Sequence, residues 1–94
     1  DVSITARIQS AIGDVVEEAI SNAVRHGGAT SITITGGQIN SNELTLSVRD
    51  NGAFTIPAPR GFGSEVFDRL AGDSWSLTRE GEETVLLLRF PNPV

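Results

Sequence analysis

The stretch ITITGGQINSNELTLSVRDNG, residues 32–52, decides the fold. Ile32 and Ile34 alternate with threonines, and after a polar break Leu44, Leu46 and Val48 alternate with Thr45, Ser47 and Arg49. A period of two marks strands that bury one face. Gly36-Gly37 reads as a turn and Asn40-Ser41-Asn42 as a polar tip, so two antiparallel strands follow one another with no helix between them. Asp50-Asn51-Gly52 ends the second strand with turn chemistry. Strands adjacent in this way favour an α+β sandwich over a doubly wound parallel sheet.

On the N-terminal side, Ile12, Val15, Val16, Ala19, Ile20, Ala23 and Val24 recur at helical spacing, which predicts a helix from about residue 6 to 26, stopped by Gly27-Gly28. Gly13 in its middle costs roughly 1 kcal/mol relative to alanine and predicts a kink or two shorter helices. Residues 2–4 read as a short strand. On the C-terminal side, Pro57 and Pro59 mark a loop, and Val66, Phe67 and Leu70 are spaced for a short helix over about 61–71. Two further strands, 74–79 and 83–90, flank a Glu80-Gly81-Glu82 turn. The order helix, strand, strand, helix, strand, strand predicts one helical layer on one sheet face.

Composition narrows the chemistry. Ninety-four residues, 9.9 kDa, make one domain over 1–94, and 38% hydrophobic with 20% charged residues is the balance of a globular chain. No apolar run approaches the roughly 20 residues that cross a bilayer. With no cysteine and a single histidine, disulfides, thiolate zinc sites and cysteine nucleophiles are excluded. The net charge of −5 and the scattered basic residues argue against non-specific nucleic-acid binding. The absence of methionine predicts a fragment of a longer protein, and no signal-peptide or lipidation pattern is present.

Three places could carry chemistry. Glu18, Asn22 and His26 follow one another at i, i+4 on the shoulder of the first helix. Together in a half-buried pocket, the carboxylate could act as a base and the amide oxygen bind a hard cation such as Mg²⁺; on a solvated face they would be plain polar residues. Asp50, at the end of an apolar strand, can accept hydrogen bonds from an exocyclic amino group, with Gly52 letting a flat ring approach, or it can simply belong to a turn. Gly61-Phe62-Gly63 before a helix suits a phosphate, or is a plain glycine turn. Trp75 reads as sheet packing, Glu82-Glu83 as a solvated turn and Thr84 as an ordinary strand residue.

In this order the pieces resemble the GHKL superfamily, the Bergerat-fold ATPases that include sensor histidine kinases, DNA gyrase B, the HSP90 chaperone and the MutL repair protein. Residues 18–27, EAISNAVRHG, look like the N box, Asp50-Asn51-Gly52 like the G1 box and Gly61-Phe62-Gly63 like the G2 box. The resemblance spans about 12–91. The short segment 53–60, the Gly28-Ala29-Thr30 after the N box and the closing Phe90-Pro91 look most like short-lid bacterial sensor histidine kinases.

The resemblance implies a two-layer α/β sandwich, its mixed, mostly antiparallel sheet covered on one face by helices. It implies ATP and Mg²⁺ as cofactors, with Asn22 holding the metal and Glu18 as the catalytic, polarising carboxylate. Asp50 would bind the adenine amino group, Gly52 would admit the base and Thr84 would help fix it. Gly61, Phe62 and Gly63 would cradle phosphates, with Arg25 and His26 near them or near the lid. The γ-phosphate would pass to a histidine on a separate dimerisation domain of the parent kinase, with a response regulator downstream, in the cytoplasm and without membrane contact by this domain. Phe54 stands where a second G1 glycine is usual, Glu83 precedes Thr84 where a glycine is usual, and the lid is eight residues with two prolines. Two alternatives stay open: a serine kinase of the anti-sigma-factor type, whose Asn-Ala-x-x-His-Gly helix is similar but whose lid is usually longer, and a degenerate nucleotide-binding or protein-interaction module, which the Phe54 and Glu83 departures favour.

Overall fold

A computed structural model describes residues 6–25, 27–53 and 64–91. Its elements run α1 (Ala6–Arg25), β1 (Ile32–Asn40), β2 (Glu43–Asp50), α2 (Ser64–Ala71), β3 (Trp75–Glu80) and β4 (Glu83–Pro91). The four strands form one sheet in the order β1-β2-β4-β3, and all three pairings are antiparallel. This is the α+β sandwich expected from the sequence. The proposed strand at residues 2–4 lies outside the described residues.

The alternation in β2 and β4 places Leu44, Leu46, Val48, Leu86, Leu88 and Phe90 on one buried face. Val15 and Ala19 of α1 and Phe67, Leu70 and Ala71 of α2 cover it, giving a single core. Both helices bury residues at i, i+3 or i+4, as an amphipathic stripe requires. Trp75 meets Phe67 edge-on, with ring centroids 5.1 Å apart, and its indole N–H donates to Asp68 Oδ1 at 2.7 Å. That geometry suits the quadrupoles of the two rings.

Two expectations are corrected. Gly36-Gly37 is no turn: β1 runs through it to Asn40, and the reversal falls at Ser41-Asn42, where Asn40 Oδ1 accepts the Asn42 N–H at 2.8 Å. Gly37 lies against β2 so closely that a Cβ would stand 2.9 Å from Thr45 Oγ1. Gly13 does not divide α1, which is continuous over 20 residues. Ile20 and Val24, counted with the apolar stripe, lie exposed on its margin.

Candidate functional site

The inner face of the sheet can be followed as rows of cross-strand partners. Gly36, Leu46, Leu88 and Trp75 form one row, and Ile34, Val48, Leu86 and Leu77 the next. The row after that is Ile32, Asp50, Thr84 and Arg79. The apolar face therefore ends in a carboxylate, a hydroxyl and a guanidinium side by side.

Two loops meet over this end of the sheet. Gly28, at φ 64°, takes the left-handed conformation that turns the chain out of α1, and the N–H groups of Gly28 and Ala29 return to the carbonyls of Val24 and Ala23. Asn51 then ties this turn to the end of β2. Its Oδ1 accepts the N–H groups of Thr30 and Ser31 at 2.9 and 3.0 Å, and its Nδ2 donates to Thr30 Oγ1 at 2.9 Å. Gly52 packs under Gly27, whose carbonyl accepts the Ala53 N–H at 2.8 Å. A Cβ on Gly52 would lie 2.9 Å from both the Gly27 carbonyl oxygen and Asp50 Oδ1.

Between α1 and the polar row lies a cavity of about 20 Å³ lined by Asn22, Asp50 and Thr84, with Ala19, Ala23, Val48, Phe67, Leu77 and Leu86. Asn22, Asp50 and Thr84 are the buried polar residues here, 7%, 6% and 3% exposed. Asp50 Oδ1 accepts the Gly52 N–H at 2.8 Å. Among the described residues no hydrogen bond reaches its second oxygen. A buried acceptor left unsatisfied costs about 1–3 kcal/mol, so this oxygen is a natural docking point for a donor. Beside it, Thr84 Oγ1 accepts from Arg79 Nη1 at 2.6 Å, and the same nitrogen donates to the Gly52 carbonyl.

Over residues 8–88 the chain matches the family described as histidine kinase-, DNA gyrase B-, and HSP90-like ATPase. The chain belongs to this ATPase family. A search of curated proteins gives no match. Family membership implies ATP binding, and the α+β sandwich is the one the family uses.

The ATPase fold brings Asn22, Asp50, Gly52 and Thr84 together from three elements and a loop. Glu18 does not line their cavity. It faces an adjoining polar groove with Asp14, Glu17, Ser21, Arg25 and Val66, where the exposed Arg25 bonds Ser21 Oγ through Nε at 3.0 Å. His26, Phe54, Gly61, Phe62, Gly63 and lid residues 54–60 lie outside the described residues. Sequence reasoning missed Asn51 as the tie between the two loops and Arg79 as a member of the site. A signal for Arg79 existed: Trp75, Leu77 and Arg79 alternate onto one face, so the third position of an inward series is charged.

Proposed function

We propose that this domain binds Mg²⁺·ATP and donates the γ-phosphate to a histidine on a separate dimerisation domain, as part of cytoplasmic two-component signalling. The observation that carries the reading is the buried Asp50 carboxylate, with one oxygen that meets no hydrogen-bond partner among the described residues, set beside the Thr84 hydroxyl in a recess bounded by Asn22. An acceptor next to a hydroxyl suits a purine edge that offers an amino group beside a ring nitrogen. Asp50 orients that edge and the apolar walls, Val48, Leu77 and Leu86, exclude water from it. Asn22, at the α1 edge of the recess, is the residue that would contribute an amide oxygen to Mg²⁺. Mg²⁺ keeps several oxygen ligands from water and substrate phosphates, so the ion would be held jointly by Asn22 and phosphate oxygens. When bound, Mg²⁺ supplies neutralisation of the charge developing on the phosphates.

The cavity of about 20 Å³ has room for roughly one water, so an adenine ring enters only as the lining parts. Phe54 and Glu83, standing where the family usually has glycines, favour a second reading, a module of the same fold that no longer turns over nucleotide. Calorimetric titration with ATP, with and without Mg²⁺, separates the two. The kinase reading expects binding that Asp50→Asn abolishes and whose Mg²⁺ dependence Asn22→Ala removes, together with phosphorylation of a histidine-bearing dimerisation domain supplied in trans. A wild-type protein that binds no adenine nucleotide refutes it. Binding without any phosphotransfer leaves the module reading in its place.

A further inference from the structure

Asn51-Gly52 is the single Asn-Gly pair in the chain; Asn22, Asn40, Asn42 and Asn92 precede Ala, Ser, Glu and Pro. Such a pair is chemically labile, because a glycine has no Cβ to hinder attack of its own amide nitrogen on the preceding side chain. A bond forms between Gly52 N and Asn51 Cγ, the Cγ–Nδ2 bond breaks, and Nδ2 departs as ammonia with the hydrogen from Gly52 N. Water then opens the five-membered imide at either carbonyl. The product is aspartate or, with the backbone rerouted through the side chain, isoaspartate.

The folded chain engages each polar group that this reaction uses. Nδ2, the leaving group, donates to Thr30 Oγ1 at 2.9 Å, and Asn51 Oδ1 accepts the N–H groups of Thr30 and Ser31 at 2.9 and 3.0 Å. The attacking nitrogen gives its hydrogen to Asp50 Oδ1 at 2.8 Å. In the imide that nitrogen carries no hydrogen and Nδ2 has left, so both of these donations are lost. The bond from Gly52 is the one that reaches the Asp50 carboxylate among the described residues, and Asp50 is 6% exposed. Cyclisation inside the joined loops would therefore strand a buried carboxylate without a donor, which is strongly unfavourable. Gly52 is also packed on Gly27, whose carbonyl accepts the Ala53 N–H at 2.8 Å and holds the two loops together.

We propose that Asn51-Gly52 is a self-modification site gated by the two loops: it cyclises when the turn after α1 and the turn after β2 part, and is inert while they are joined. The isoaspartyl product adds one carbon to the backbone between Asp50 and Gly52. That moves the Gly52 N–H off Asp50 and keeps the loops from closing again. The change falls on the buried carboxylate of the polar row, needs only water, and is independent of what the recess binds.

The test follows conversion at Asn51 by mass-spectrometric peptide mapping in mildly alkaline buffer, with isoaspartate counted by an isoaspartyl methyltransferase. The native chain is compared with the peptide VRDNGAFT, residues 48–55. It should convert at least about tenfold more slowly than the peptide, the factor that two lost hydrogen bonds supply. Thr30→Val, which removes the acceptor of Nδ2, should convert about threefold faster than wild type or more, and Thr30→Ser, which keeps a hydroxyl, at the wild-type rate. In low urea the rate should rise with a slope well below that of global unfolding, because parting two loops exposes little surface. A native rate equal to the peptide's, or a folded Thr30→Val that reacts no faster than wild type, overturns the proposal. Aspartate formed without any isoaspartate overturns the ring route. Should Thr30→Val not fold, the urea series decides: a slope equal to that of equilibrium unfolding means that the whole chain opens before Asn51 reacts, and the loops are then no gate.

Discussion

Gly52 sits where two loops press together, and the space its Cβ would need is taken by the Gly27 carbonyl and by the carboxylate it helps to orient. Gly52→Ala must push apart backbone, which yields less readily than a flexible side chain. The expected loss is about 1–3 kcal/mol in urea unfolding, with ATP affinity falling as Asp50 is displaced. A stability within about 0.5 kcal/mol of wild type would show that the two loops separate freely. The motif Asp50-Asn51-Gly52 is recognisable in the sequence as a turn with a carboxylate, but the division of labour within it is not. Asn51 serves Thr30 and Ser31, 21 and 20 residues away, and Gly52 serves Gly27. Such partners are invisible to local pattern because only the folded sheet brings them within reach. The same holds for Arg79, whose charge on an inward-facing strand position is the one local trace of its role.

At the scale of elements, the period of the apolar residues sufficed for both helices and all four strands, and the errors fell on glycines. A glycine pair in an alternating segment signals a turn when the chain is considered alone. In β1 it is instead paired along its length with Leu46 and Thr45 of β2, and the Thr45 hydroxyl, not a turn, accounts for the space next to Gly37. Gly13 shows the converse. Its propensity penalty is too small to break a helix that Val15 and Ala19 anchor in the core. An exposed helical glycine with nothing within 4 Å of a built Cβ is a site where alanine fits without strain. Gly13→Ala is expected to raise stability by about 0.5–1 kcal/mol, through the backbone entropy of the unfolded chain, and to leave nucleotide affinity unchanged. The urea midpoint should rise with an unaltered slope; a lowered midpoint would mean that α1 needs a pliable point at residue 13.

For the whole molecule, the decisive property is that the candidate site has no local precursor. Asn22 comes from α1, Asp50 from β2, Arg79 from β3 and Thr84 from β4, and the rows that align them exist only when the antiparallel register is complete. The unfolded chain therefore presents no competing site, and a ligand that needs all of these residues binds the native state alone. Linkage then requires nucleotide to stabilise the fold. At a hundredfold excess over its dissociation constant, Mg²⁺·ATP should add about 2.7 kcal/mol. In a chain of 94 residues that corresponds to a rise in Tm on the order of 10 °C. The increment should grow with the logarithm of ligand concentration and vanish in Asp50→Asn, whose buried acceptor is replaced by an amide. Thermal melts at a series of ATP concentrations measure it directly. A Tm that ATP does not move, in a protein whose calorimetry shows ATP bound, would place the nucleotide on a surface that persists in the unfolded chain and so away from the Asp50 row.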